Sequence, residues 1–238
     1  FNTKFALDNK EMVNLPIGLF GNFYCHELSF FLLDNNDYHN LQKVLSDCNL
    51  KIKKIISKDF IEGASLIKSN SKLSNLFKIE ISEEHSKIIF IENSSLKYVQ
   101  DFKFGSNLII KDISKVTGLE IDIIKTILIN SNFSEKELGE LVEKKFFKDN
   151  NYRKISKKLI IDIAKARIEE LFEIILFKNI NTKSFLKKKI SIFLKINDSL
   201  ILRKFTNSFK LFFSKKDNCF LNIIANDEIK NFYTNAND

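Results

Sequence analysis

The chain of 238 residues contains no tryptophan, a single proline (Pro16), one methionine, six glycines and three cysteines. Each scarcity removes a class of reading. Cys25, Cys48 and Cys219 are scattered, odd in number, and form neither a CxxC pair nor a Cys/His ligand cluster. No disulfide framework or zinc centre is expected, and the thiols should be reduced and mostly buried. No apolar run reaches the ~18 residues that span a bilayer. Ser65 and Ser86 lack a Gly-x-Ser-x-Gly context, which leaves no hydrolase nucleophile. Neither an internal repeat nor a long low-complexity segment occurs. The chain opens on Phe1 with no signal-peptide pattern, which reads as a fragment or a chain whose beginning is missing.

The composition that remains is 44% hydrophobic and 29% charged, ordinary for a globular protein large enough for one core or two small lobes. The net charge of +8 invites a nucleic-acid partner. The lysines are spread along the chain, with short runs only at Lys51–Lys54 and Lys187–Lys189, and no basic ribbon interleaved with aromatics appears. A bias towards Lys, Asn, Ile and Phe is what an AT-rich genome produces, so no nucleic-acid partner is expected.

Residues 1–22 read as an extended approach punctuated by Asp8-Asn9 and Pro16-Ile17-Gly18. A strand is expected over Cys25–Leu33. A helix should start at Asn35-Asn36-Asp37, with Tyr38, Leu41, Val44, Leu45 and Cys48 on one face. A short strand at Ile52–Ser57 and a helix capped by Asp59 and carrying Ala64, Leu66 and Ile67 come next, then a linker at Lys68–Asn75. Residues 76–118 read as three strands, with turns at Ser82-Glu83-Glu84-His85 and Asn93-Ser94-Ser95, then a glycine and a helix over Asn107–Val116 closed by Gly118. Further helices are expected at Glu120–Asn130, Glu135–Glu143 and Ser156–Phe177. The last carries an apolar stripe of Ile160, Ala164, Ile168, Leu171 and Ile175, with Arg167, Glu170 and Glu173 off it. A strand at 189–194, a helix near Ser199–Phe212 capped by Asp198, and a strand at Cys219–Ala225 complete the chain. Strands and helices alternate, with hairpins embedded, which points to an α/β fold.

The stretch 76–118 carries the functional question. Hairpin, third strand, Gly-x-Asn and helix is the order in which several folds grip a nucleotide phosphate. Such a grip uses glycines, so that backbone N–H groups close on the anion. Here Glu83 and Glu84 stand at the turn instead. With His85 they contain the residue types of a metal or acid–base site. Neighbours on a hairpin tip rarely converge, so a solvated turn is the expected state. His26 and His39 are isolated and read as structural. No catalytic residue and no metal ligand is assigned.

In order, these pieces resemble the FtsA family of bacterial cell division, actin-like members of the actin/Hsp70 superfold. Phe5, Leu7, Asp8 and Pro16-Ile17-Gly18-Leu19-Phe20-Gly21 match its "F-x-V-D…PxGhxG" approach. Asn40-Leu41…Leu50-Lys51-Ile52 and Ser57–Ile67 match the next helix, strand and helix. Phe102-Lys103-Phe104-Gly105-Ser106-Asn107 with Lys111-Asp112-Ile113 is similar to "LPxGGxxhTxDIA". Ile160–Ile174 is similar to "IIxxRhxEIxEhh", with Arg167, Glu170 and Glu173 in place. The match covers about residues 5–178.

The resemblance implies an actin-like α/β fold with an incomplete first lobe plus a second lobe. It divides the chain into the end of an inserted subdomain (1–22), the rest of the first lobe (23–72), a second-lobe sheet with a degenerate phosphate hairpin (73–116), a small subdomain (117–178), and a return to that sheet with a tail (179–238). It places Glu80, Ser82, Glu83, Glu84, His85, Gly105 and Ser106 at a degenerate nucleotide site. Glu80 stands at the metal-linked carboxylate, and the hairpin's "DIGGGTTD" becomes Glu80–Lys87. Ile123–Ile127 replaces "AExLK", and Leu194–Ser199 replaces "LTGGxS".

Three altered elements imply a scaffold with no cofactor of its own, ATP and magnesium being reserved for the complete protein. The implied partners are the FtsZ C-terminal tail and other actin-like protomers. The tail would meet a basic groove of Arg153, Lys154, Lys157, Lys158 and Arg167 beside Glu170. The implied location is the cytoplasmic face of the inner membrane at the division site, reached through a segment not present here. Nothing after Ala225 reads as an amphipathic anchor. Two alternatives stay open: a working actin-like ATPase whose unusual site uses Glu83 or Glu84, and an actin-like adaptor of a pilus or secretion assembly.

Overall fold

A computed structural model describes residues 2–28, 30–70, 73–92, 95–133, 137–147, 152–186 and 189–224. These residues form two units. The first takes residues 2–75 and Phe90–Tyr98; the second takes Leu76–Ile89 and residues 99–224.

The first unit begins with an antiparallel sheet of β1 (Asn2–Leu7), β2 (Lys10–Met12) and β3 (Tyr24–Leu28), in the order β2-β1-β3. Asp8 and Asn9 make the β1–β2 turn at φ 48° and 64°. Paired left-handed residues suit the right-handed twist of a hairpin, and short polar side chains tolerate them best. The Asp8 carboxylate also accepts from the amides of Asn22 and Phe23, at 2.9 and 2.8 Å, and so ties the chain back to the turn before β3. Helices α1 (Asn35–Asp47) and α2 (Lys58–Ser69) follow. Asp34 caps α1 by accepting from Asn36 N–H at 2.8 Å. In α2, Glu62, Gly63 and Leu66 are buried. Gly63 is required there, because a Cβ would lie 1.6 Å from Ile91 Cδ1.

The second unit is organised on a five-stranded sheet of order β6-β5-β4-β7-β8, formed by β4 (Asn75–Ile81), β5 (Ser86–Glu92), β6 (Ser95–Phe102), β7 (Ile190–Ile196) and β8 (Cys219–Ile223). The unit boundary cuts through β5 and β6. β4 runs parallel to β7, and β7 parallel to β8. The four-residue connection from β4 to β5 permits only an antiparallel pair, so the sheet is mixed. β4 and β7 are central, and their apolar residues are almost wholly buried. That explains their near-continuous apolar runs, the pattern of strands covered on both faces. Lys78, Glu80 and Lys195 break those runs.

Helices α3 (Asn107–Thr117), α4 (Ile121–Asn130) and α5 (Lys157–Phe172) lie between β6 and β7, and α6 (Ser199–Ser214) links β7 to β8. α3 ends on Gly118 at φ 67°, the left-handed cap that spares a Cβ penalty. α5 packs on α3 and α6 through the expected stripe, with Ile160, Ala164, Ile168, Leu171 and Ile175 all buried. Phe172 touches Phe209, Phe212 and Phe213, with ring centroids 5.8, 5.7 and 4.7 Å away.

Several expectations change. The long helix gives way at Glu173 to a π turn over Glu173–Phe177, which brings Phe177 against Phe212 and Phe213. Residues 52–57 form no strand: no neighbouring strand takes up their backbone hydrogen bonds among the described residues. β3 stops at Leu28, and Phe30–Leu33 continue as exposed chain. Glu135–Glu143 is not a helix where described: 137–139 turn, and Leu141 bridges to Ser156. Residues 134–136, like Asn93, Ser94, Lys187, Lys188 and the tail from Ala225, lie outside the described set. Ser57, not Asp59, precedes α2, and Asp59 sits in its first turn. The linker is shorter than expected, since Lys68 and Ser69 belong to α2 and Asn75 opens β4. The amphipathic α1 buries no residue in full. Cys25 and Cys48 are exposed and Cys219 half-buried, contrary to the expected burial. Cys25 stands on the outer strand β3, and Cys48 is the C-cap of α1.

Phe172→Ala removes the ring around which Phe209, Phe212 and Phe213 pack. It should lower unfolding free energy by roughly 3–5 kcal/mol, read as a fall in the urea midpoint at unchanged slope.

Candidate functional site

The residues singled out at the phosphate-type hairpin gather at the carboxyl ends of β4 and β7, the end of a parallel pair where ligands bind in open α/β sheets. Parallel pairing sets Glu80 directly beside Lys195. Two positions earlier on β4, on the same face, stands Lys78, 1% exposed. Lys78 Nζ donates to Glu80 Oε2 at 3.2 Å. Lys195 Nζ lies 3.1 Å from Glu80 Oε1. Asn197 Nδ2 donates at 2.9 Å to that same Oε1 and at 2.9 Å to Ser82 Oγ.

Burial alone would raise the Glu80 pKa. The Asn197 hydrogen bond and the two lysine charges outweigh it and hold the carboxyl at about 2. Glu80 is therefore an ionised carboxylate already claimed by two ammonium groups.

The hairpin tip shows a second departure from a phosphate grip. Ser82 N–H donates to His85 O at 2.8 Å and closes the turn. Glu83, Glu84 and His85 are exposed on it, and no group of His, Cys, Asp or Glu able to hold a metal occurs among the described residues. The tip backbone faces inward. Ser106 N–H donates to Ser82 O at 2.9 Å, and Asn107 N–H to Glu83 O at 3.0 Å. These are amides from the first turn of α3, donors that a helix leaves open for an anion. Here the hairpin's own carbonyls take them. Gly105 makes this approach possible: a Cβ there would lie 2.1 Å from Ser82 O and 2.7 Å from Glu83 O.

Ser106 is fully buried, and its hydroxyl donates to Asp198 Oδ2 at 3.0 Å. The other oxygen of Asp198 accepts from Leu200 and Ile201 N–H at the start of α6. Ser86 Oγ donates to Phe104 O at 2.8 Å. The hairpin, the Gly105–Ser106 loop and the 194–199 turn, named separately from the sequence, thus meet. Ile123, Ile124 and Ile127 have no polar part in this site; they are buried on α4.

The residues of the expected basic groove lie on α5 and the segment before it. Arg167 Nε donates to Asp112 of α3, and its Nη1 pairs with Glu170 Oε2 at 2.9 Å. The Asp112 bond, with a smaller share from Glu170, keeps the guanidinium above its ordinary pKa. Lys157 is buried and pairs with Glu140 at 2.7 Å and Glu137 at 3.3 Å, and Glu140 chiefly raises its pKa. Arg153 Nη1 donates to Thr117 O at 3.2 Å, at the negative end of α3. The open basic groove is thereby corrected: Lys157 is buried, Arg167 half-buried and Arg153 exposed, each bonded within the protein, while Lys154 and Lys158 face solvent.

The sequence reading passed over Lys78, Lys195 and Asn197 as site residues. Two lysines inside apolar strands were the available signal, since Lys is rarely buried without a partner.

No family model matches the chain. It is similar to the cell division protein FtsA of Neisseria meningitidis serogroup B, 26% identical over 175 residues that make up 72% of this chain and 42% of that protein. The chain thus spans less than half the length of this relative. It is also similar to a putative ankyrin repeat protein of fowlpox virus, 29% identical over 126 residues, 50% of this chain and 28% of that protein. The mixed sheet is not a helical solenoid and follows no such repeat. Among solved structures, MreB5 of Spiroplasma citri bound to ADP superposes with a TM-score of 0.50 at 15% identity, covering 85% of this chain and 65% of that one. The fold is actin-like, and over 72% of its length the chain is similar to FtsA.

Glu80→Gln removes the carboxylate from two lysines and should destabilise the protein at neutral pH by on the order of 2 kcal/mol after allowance for solvent screening. Glu80 titrates lower in the folded than in the unfolded chain, so its contribution is full above the ordinary value of 4.5 and fades as pH falls towards 2. Urea titrations of the two proteins should therefore converge between those pH values. Gly105→Ala should be more damaging than an ordinary loop substitution, because backbone rather than a mobile side chain must move. A fall of several degrees in Tm is the expected reading.

Proposed function

We propose that this chain is part of an FtsA-like cell-division scaffold, an actin-fold protein that acts by binding partners and not by hydrolysing ATP. Its role would be to link the FtsZ C-terminal tail to the division machinery at the cytoplasmic face of the inner membrane, in company with other actin-like protomers. Membrane attachment would come from a segment outside the described residues. The likeness to FtsA and the actin-like fold support the division setting.

The observation that carries the non-hydrolytic part is Glu80 held between Lys78 and Lys195. In nucleotide hydrolysis by a bound metal, a carboxylate must be free to hold the cation, and the cation neutralises charge on the phosphates. Here lysines supply that neutralisation to the carboxylate itself. The exposed Glu83 and Glu84 add negative charge where an anion would approach. Two like charges ~4 Å apart repel by ~4 kcal/mol at an effective dielectric of 20.

For the partner, the outer side of α5 offers Lys154, Lys158 and the Arg167–Glu170 pair to a short acidic and apolar peptide. Arg167 would then exchange part of its ion pairing for the peptide carboxylates.

Two measurements on the full-length protein test the proposal. Titration with Mg-ATP should leave Tm unchanged within a degree at millimolar nucleotide; a shift of several degrees that disappears in Glu80→Gln would overturn the degraded nucleotide site, and phosphate release alongside it would establish the ATPase alternative. Binding of a fluorescent FtsZ-tail peptide at low salt should weaken about tenfold in Arg167→Glu and also in Lys158→Glu, which leaves the Asp112 contact intact. A folded full-length protein that does not bind the tail would remove the FtsZ link.

A further inference from the structure

The residues around Glu80 form a closed polar circuit that joins three separate loops. Asn197, in the β7–α6 turn, donates to both Glu80 and Ser82 and so ties that turn to β4 and the hairpin tip. Its own backbone N–H donates to Ile81 O at 2.9 Å, which holds the turn against the end of β4. Ser82 O accepts from Ser106 N–H, joining the tip to the β6–α3 loop. Ser106 Oγ donates to Asp198, the neighbour of Asn197, and the circuit returns to its start. Every junction lies between segments far apart in sequence: 115 residues separate Ser82 from Asn197, and 92 separate Ser106 from Asp198.

Three members of this circuit, Ser82, Ser106 and Asn197, stand where the resembled motifs carry glycine. A glycine at each place would leave a gap with no side chain to cross it. The side chains present reach one another or a neighbour within the ring, and no buried side-chain polar atom among the described residues lacks a partner. A ring of hydrogen bonds in which each member holds the next rigidifies what it joins; Ser106 is its buried member, while Asn197 lies at the surface.

We propose that this circuit is an internal lock. It holds the hairpin tip, the β6–α3 loop and the β7–α6 turn as one block, a cross-linking that a bound ligand performs in a site built from bare loops. The inference builds on the reading of Glu80 as neutralised by charges within the protein. It differs in predicting long-range coupling: loosening the β7–α6 turn loosens the first turn of α3, although Asn197 touches no residue of α3 in the circuit.

Amide hydrogen exchange at single-residue resolution, on the full-length protein without nucleotide, reads this directly. The reporters are the Ser106 and Asn107 N–H groups, whose acceptors are Ser82 O and Glu83 O. Asn197→Ala should speed exchange at both by about fivefold, the effect of losing roughly one net hydrogen bond, and leave the core amides of α5 unchanged. Ser82→Ala, which cuts the Asn197–Ser82 bond from its half-buried end, should do the same. The double variant should exchange no faster than Asn197→Ala alone, because the Asn197–Ser82 bond that Ser82→Ala removes is already lost there. Unchanged reporters in both single variants, additive acceleration in the double variant, or equal acceleration of α5 amides would each overturn the lock. Nucleotide titration does not enter these readings. An ATP-induced Tm shift would therefore count against the proposed function while leaving the lock to stand or fall on exchange alone.

Discussion

One carboxylate between two lysines joins the two central strands of the second unit's sheet. Burying an ion is costly unless charge and hydrogen bonds compensate it, and Glu80 receives both from neighbouring positions of two parallel strands. Central strands of a mixed sheet are the most rigid part of such a fold, so the compensation is fixed by register and not by a mobile loop. Where strand ends meet helix starts, this chain has turned the polar groups towards one another. The tip of the β4–β5 hairpin, the first turn of α3 and the start of α6 find their partners within the molecule.

The same inward turn marks the surface expected to meet a partner. Asp112 and Arg167 belong to two motif segments read separately in the sequence, and in the structure they bind each other across α3 and α5. Arg153 closes the carboxyl end of α3, and Lys157 neutralises two glutamates at the start of α5. Of the cations that resemble a docking patch in one dimension, Arg153 thus complements the negative end of a helix, while Lys157 and Arg167 are held by carboxylates. The part of α5 left to solvent is narrower and more mixed in charge than the sequence suggested.

Much of the second unit was legible because its signals were local. Gly118 after α3, Asp198 before α6 and the buried stripe of α5 each follow from caps or periodicity that need no distant partner. The strand expected at 52–57 failed for the opposite reason: a strand exists only through its neighbour, and sequence pattern does not say whether one is there. The π turn at Glu173–Phe177 was invisible because it serves the aromatic cluster on α6, far along the chain. Of the site, the altered glycines were visible but their mutual bonding was not. Register placed Lys195 beside Glu80, and register is a tertiary fact.

Gly105 shows what such a site means for pattern searching. In a loop of this kind a glycine is normally counted as a mark of anion recognition. Here two backbone carbonyls crowd the place where its Cβ would be, and that crowding is enough to require it. One letter in a motif can therefore encode either clearance for a ligand or clearance for the chain itself. A score that adds surviving glycines treats the two as equal evidence, although here the glycine already answers to the two carbonyls. A better discriminator is whether the amides that follow the glycine still lack an acceptor.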